Sequence, residues 1–317
     1  GKVRNAIAAK MPWRLGGAAD LAPSTKTHLN FEFAGDFQAP GEGSDYRGRN
    51  FHYGIREHAM CAISNGLSLS NLRPYAASFL VFTDYCRGAL RLAAMMEIPV
   101  ITIWTHDSIS MGEDGPTHQP VEQLASLRAM PGMMVLRPAD ANEVVEAWRV
   151  IMQFKDRPVC LVLTRQALAT LDRTRYAPAS GVARGAYVLA DAPHHRLDVL
   201  LLATGSEVAL CVAAYEQLKI EGIKARVISM PSWELFESQS REYRDSVLPP
   251  EITARVAVEA ASSFGWERYA GCGGTILGLD TFGLSAPMKV VAQHFGFEPA
   301  HVVAAAREQV ARHAAKK

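Results

Sequence analysis

Thr105-His106-Asp107-Ser108 and the following Gly112-Glu113-Asp114-Gly115-Pro116-Thr117-His118-Gln119-Pro120 place two imidazoles and three carboxylates within fourteen residues. These side chains exchange protons near neutral pH, and both types also ligate metals. Gly112, Gly115, Pro116 and Pro120 forbid a continuous helix or strand, so the polar groups must lie on a shaped loop. The loop directly follows Ile98-Pro99-Val100-Ile101-Thr102-Ile103-Trp104, an apolar run bounded by breakers that reads as a buried parallel strand. Open α/β sheets bind ligands at the carboxyl ends of their strands. The stretch therefore reads as a binding or catalytic loop, with a metal site on His106, Asp114 and His118 as the alternative.

The elements that must hold this loop alternate in type. Helices are expected over Lys2–Met11, Glu57–Leu69, Phe82–Met96, Val121–Ala129 and Ala141–Phe154. Strands are expected over Arg14–Gly17, Pro74–Phe79, the run ending at Trp104, Met133–Leu136 and Val159–Thr164. That rhythm predicts an α/β fold with a mainly parallel sheet. Thr25–Asn50, rich in glycine and polar residues, reads as a long excursion near the site, ordered or mobile. Ala167–Gly185 reads as a linker, after which Asp198–Ala203, Lys224–Met230 and Ala254–Glu259 predict strands, and Ser206–Leu218 and Pro299–Ala314 helices. The expectation is two doubly wound α/β domains, residues 1–180 and a smaller 181–317.

Bulk properties exclude several classes. A formal net charge of +1, with 21% charged residues, offers no electrostatic reason for nucleic acid or an anionic membrane as partner. No apolar run approaches the roughly 20 residues that span a bilayer. Cys61, Cys86, Cys160, Cys211 and Cys272 stand singly among apolar neighbours, as reduced buried thiols of a cytoplasmic protein do.

A second cluster opens a helix at Gly54-Ile55-Arg56-Glu57-His58-Ala59-Met60. An isolated Glu57 there would simply answer the helix dipole. Upstream, however, lies Gly16-Gly17-Ala18-Ala19-Asp20-Leu21-Ala22-Pro23-Ser24, and downstream Phe79-x-x-Phe82-x-x-Tyr85, a helical spacing that read alone means core. With the long loop, Arg165-Gln166, Ala203-Thr204-Gly205-Ser206-Glu207-Val208 and Thr281-Phe282-Gly283, these motifs in this order resemble transketolase, in its middle (pyrimidine-binding) and C-terminal domains. The family's N-terminal diphosphate-binding domain has no counterpart: no Gly-Asp-Gly followed by a metal-binding Asn occurs, and Gly271-Cys272-Gly273-Gly274 reads as a tight turn. The chain begins inside a helix at Gly1-Lys2, as a fragment or one subunit of a split enzyme would.

The resemblance implies transfer of a two-carbon ketol unit from a ketose phosphate to an aldose phosphate with thiamine diphosphate, in the pentose phosphate pathway. Residue by residue, Glu57 matches the carboxyl group bonded to the cofactor's ring nitrogen N1′, which favours the imino tautomer. Phe79, Phe82 and Tyr85 match the aromatic wall around the pyrimidine, with Asp20 and Leu21 near the cofactor. His106 and Asp114 match groups at substrate hydroxyls, and Ser24, His118 and Arg165 the phosphate clamp. A Mg2+ or Ca2+ ion would belong to the absent domain, and a homodimer and an N-terminal domain in cis or trans are the implied partners. Dihydroxyacetone synthase-like acceptor use and a non-catalytic assembly fragment are the alternatives. His28, His52 and His58 have less certain counterparts, while His194-His195, His301, His313 and Lys316-Lys317 read as solvated surface.

Overall fold

Aliphatic and β-branched runs between breakers become strands here, and those buried on both faces are mostly apolar. The computed structural model describes residues 1–41, 44–192 and 197–314. The pairs His194-His195 and Lys316-Lys317 lie outside the described residues. Two compact units emerge: Gly1–Asp107 with Leu127–Leu136 and Trp148–Leu163, and Ser108–Ser126 with Arg137–Ala147 and Thr164–Lys317.

The first unit holds an eight-stranded sheet in the spatial order Ser44–Asp45, Asp36–Phe37, Asn50–His52, Gly16–Ala18, Tyr75–Phe79, Ile101–Thr105, Val159–Val162, Met134–Leu136. Every pairing in it is parallel. Its central strands Tyr75–Phe79 and Ile101–Thr105 are buried along their whole length. Gly16 and Gly17 are required by close approach: a Cβ would fall 1.9 Å from the Tyr75 carbonyl oxygen at the first and 1.8 Å from that of Phe51 at the second. Helices Glu57–Leu69 and Thr83–Met95 pack on each other, and the former also on Tyr75–Phe79. Thr25–Asn50 contributes two short edge strands and the Asn50 side chain, whose Oδ1 accepts from Leu29 N at 2.7 Å.

The second unit carries a five-stranded sheet in the order Thr275–Leu279, Arg255–Ser262, Val199–Ala203, Ala225–Ser229, Tyr187–Ala190. Only the last strand is antiparallel. Its core gathers Trp233, Trp266, Phe236 and Tyr269, with the two indoles edge to face at 5.0 Å. The stretch read as a linker is held by Arg173, which donates to both Asp140 carboxylate oxygens at 3.0 and 3.1 Å. Two expectations are corrected. Cys272 is exposed, since it sits on the turn following Gly271, while the other four thiols are buried. His301 is exposed as expected, but His313 is half-buried with Nδ1 2.8 Å from the Gln309 carbonyl oxygen.

Candidate active site

Four adjacent parallel strands of the first unit end at candidate residues. Asn50–His52 leads to Glu57, Gly16–Ala18 to Asp20, Tyr75–Phe79 ends in Phe79, and Ile101–Thr105 hands over to His106. This carboxyl edge is where a parallel sheet offers loops and helix N-termini to a ligand. Asp20 and His106 both adopt left-handed backbone, φ 59° and 58°, which ordinary side chains rarely tolerate and which clusters at functional sites.

Glu57 opens its helix with only 6% of its surface exposed. The Ser78 hydroxyl donates to Oε1 at 3.4 Å, tying the carboxylate to the strand that ends at Phe79. A buried carboxylate with one long hydrogen bond is costly unless a further polar partner arrives. Cys86, on the neighbouring helix, is pushed up by its hydrogen bond with Cys61, by burial and by the nearby Glu57 charge, so its thiol stays neutral.

The aromatic residues form a row. Phe79 and Phe82 stack at 5.9 Å with an interplanar angle of 16°, and Phe82 meets Tyr85 at 5.8 Å and 33°. The row grades outward, from a buried Phe79 to a Tyr85 that is 67% exposed. On its inner end Phe79 stacks with the His106 ring at 3.8 Å, and His106 Nδ1 lies 2.8 Å from the Thr105 hydroxyl. His106 is buried, and its ring is thus fixed on one face and one edge. Leu21 is half-buried at the cap of the short helix Ala22–Thr25, while Asp20 and Ser24 are exposed. His28, His52 and His58 are exposed; His52 pairs with Asp36 at 3.1 Å.

In the second unit, Asp114 and His118 lie on one compact turn. A 3-10 segment, Ile109–Asp114, is broken at Gly112 (φ 79°) and closed by Gly115 (φ 77°). His118 N donates to the Gly115 carbonyl at 3.0 Å, and His118 Nδ1 lies 2.9 Å from the Thr117 hydroxyl. Asp114 is exposed and His118 half-buried. Arg165, also exposed, follows the Val159–Val162 strand by three residues. Among the described residues no three His, Cys, Asp or Glu side chains gather as a metal would require. Sequence reasoning missed Ser78 and gave no role to Thr105 and Gln119, which it named only as members of the loop; all three touch or brace candidates.

The profile of the transketolase pyrimidine-binding domain matches residues 1–170, and that of the transketolase-like C-terminal domain residues 185–298. The chain belongs to the transketolase family. A transketolase of Halalkalibacterium halodurans is 52% identical over 308 residues, covering 97% of this chain and 45% of that protein. The chain thus spans about half the length of the curated relatives it matches. A transketolase mutant of Pichia stipitis solved with xylulose 5-phosphate superposes with a TM-score of 0.91 at 40% identity, over 98% of this chain and 45% of that one. A split-gene transketolase, described as an inactive beta4 tetramer, matches over 98% of this chain and 96% of its own at TM-score 0.77; at 24% identity that likeness shows the fold alone.

Proposed function

We propose that this chain supplies the pyrimidine-binding (1–180) and C-terminal (181–317) parts of an enzyme that moves a two-carbon ketol unit from a ketose phosphate to an aldose phosphate. Thiamine diphosphate, on which the transketolase family depends, supplies when bound the nucleophilic carbon and the electron sink for that transfer. The observation that carries the reading is Glu57, a buried carboxylate beside a row of stacked rings. That donor set fits a flat aminopyrimidine, which needs an apolar wall for its faces and one carboxyl group for a ring nitrogen.

Glu57 holds a proton between its carboxyl group and N1′ and so sets the ring's tautomer. Phe79, Phe82 and Tyr85 exclude water from that ring, with Asp20 and Leu21 bordering it. His106, its ring fixed by Phe79 and Thr105, exchanges protons with a sugar hydroxyl, and Asp114 holds another. Ser24, His118 and Arg165 bind the phosphate, Arg165 by its planar fork. The diphosphate and its divalent cation belong to a further domain, in cis or in trans, and the working form is a cytoplasmic homodimer. The xylulose 5-phosphate found with the Pichia stipitis relative is the natural donor to try.

The test is transfer from xylulose 5-phosphate to ribose 5-phosphate with thiamine diphosphate and Mg2+, using the chain alone and with an N-terminal transketolase domain. Activity that requires the added domain supports the reading. Silence with that domain demonstrably bound overturns it in favour of a non-catalytic assembly role.

A further inference from the structure

Asp114 and His118 sit on a loop with no regular secondary structure beyond one 3-10 segment, yet this loop is fastened at several points. The Gln119 side chain, 2% exposed, donates through Nε2 to the Gly112 carbonyl at 2.9 Å and to the Leu284 carbonyl at 3.0 Å. One amide group thus closes the loop on itself and ties it to a segment 165 residues further on. Ser285 adds a second tie, its hydroxyl donating to the Glu113 carbonyl. Two left-handed glycines let the surfaces meet. A Cβ on Gly115 would lie 3.2 Å from Ser285 Cβ, and one on Gly112 would lie 3.5 Å from both Ala286 O and Met288 N. Gly283 abuts the amide so closely that a Cβ there would fall 1.8 Å from Gln119 Oε1.

The ties bracket the candidate residues. Asp114 lies between Glu113, held by Ser285, and Gly115, packed on Ser285. His118 lies between the Gly115 carbonyl, to which its own N–H donates, and Gln119. The segment Gly283–Met288, ahead of helix Met288–His294, offers no titratable group of its own except through these contacts.

We propose that Gln119 is a positioning residue, which together with Ser285 uses the segment Gly283–Met288 to hold Asp114 and His118 in place for a sugar phosphate. This inference rests on the functional reading above. It also assigns the C-terminal part of the chain a task in substrate binding, although none of the proposed substrate ligands from Ser24 to Arg165 lies within it. Side chains that are held in advance bind without the entropic cost of ordering a loop, so the effect falls first on substrate affinity.

The experiment compares Gln119→Met, which keeps the volume and removes the donor, with Ser285→Ala and Ser285→Thr. Amide hydrogen exchange is followed over residues 109–118, with the buried Val199–Ala203 strand as internal reference. Steady-state kinetics with xylulose 5-phosphate are measured on the same chains supplemented with the N-terminal domain. The expected result is at least tenfold faster exchange in the loop with the reference strand unchanged. KM for the donor should rise about tenfold against a smaller fall in kcat, with Ser285→Thr restoring wild-type values where Ser285→Ala does not. Unchanged loop exchange in Gln119→Met and Ser285→Ala overturns the proposal, as does faster exchange with an unchanged KM. Faster exchange of the reference strand as well would reduce Gln119 to a general stabiliser and equally overturn it. A silent wild-type enzyme is a separate result: it removes the functional reading, and the role in substrate binding with it, whatever the exchange shows.

Discussion

The Arg14 guanidinium lies 4.7 Å from the centre of the Trp148 ring, fully buried, with Met152 Sδ at 3.4 Å as its hydrogen-bond acceptor. Its Nε and Nη2 are buried without a partner. Arg4, whose Nε is likewise unpartnered, gives its two terminal nitrogens to the carbonyls of Thr27, His28 and Lys26. Burial, then the charges of Arg4, Arg73 and Arg49, lower Arg14 to about 9 against a partial offset from Tyr75.

Arg14→Met should therefore stabilise the chain, by about 1–3 kcal/mol at pH 7. The sign with pH is fixed by the lowered value. The unfolded chain holds the proton up to the ordinary, much higher arginine value, whereas the folded one releases it near 9. The penalty is thus present in full below pH 9 and shrinks as pH rises above it. Denaturant unfolding of both proteins at pH 7 and pH 10 checks this: the gap between them should narrow at the higher pH.

Glu57→Gln should abolish two-carbon transfer in the supplemented enzyme, by a factor of about 100 or more, with little loss of stability. The amide keeps the shape and the contact with Ser78 but cannot hold the proton. Near-wild-type turnover of this variant would sink the proposed mechanism.

Gly205 adopts φ 55°, and a Cβ there would lie 2.6 Å from the Arg137 guanidinium carbon. That guanidinium is buried, donates to Glu207 at 2.5 Å and to Thr204, and lies 3.7 Å from Glu259. Gly205→Ala should cost about 3 kcal/mol, from backbone strain and a disturbed buried ion pair. A lowered unfolding midpoint with unchanged slope would bear this out, and an unshifted midpoint would refute it.

Tyr187 donates to the fully buried Glu143 at 2.7 Å, and Ser229 does so at 2.7 Å from its own hydroxyl. Burial nevertheless raises the Glu143 carboxyl above its ordinary value of 4.5, against the opposing pull of Ser229, Tyr187 and the Ala139 amide. A raised acid favours folding when protonated, so its contribution fades as pH climbs through the folded value. Tyr187→Phe removes a donor and should cost about 1–3 kcal/mol at pH 7. The loss should be smaller at pH 5, which unfolding at both pH values would show.

The elements of the first unit were legible because each pairs an apolar run with a breaker. Tyr75–Phe79 and Ile101–Thr105 are fully buried parallel strands, and such strands are mostly apolar whatever surrounds them. The carboxyl-edge placement of the loop that opens at His106 followed from reading the run before it as a parallel strand, whereas the strand Asn50–His52 that leads to Glu57 was not expected. Less could be read where tertiary contacts decide. Asp36–Phe37 and Ser44–Asp45 are two residues long and exist only as additions to a sheet edge. Tyr187–Ala190, just past the stretch read as a linker, was not expected as a strand because its antiparallel partner lies some forty residues away. The bracing of Asp114 and His118 by Leu284 and Ser285 was invisible, since nothing local to Gln119 points to residue 284.

The guanidinium that neutralises Glu207 and Glu259 comes from position 137, 70 residues before Glu207. Tyr187 and Ser229 likewise find their buried acceptor at position 143. A gene cut anywhere between Leu163 and Tyr187 would part Arg137 from Glu207 and Glu259, and Glu143 from the Tyr187 and Ser229 hydroxyls. The C-terminal part is therefore not a cassette that recombination can swap freely between relatives. Substitutions at 137 and 143 should be inherited together with those at 207, 229 and 259.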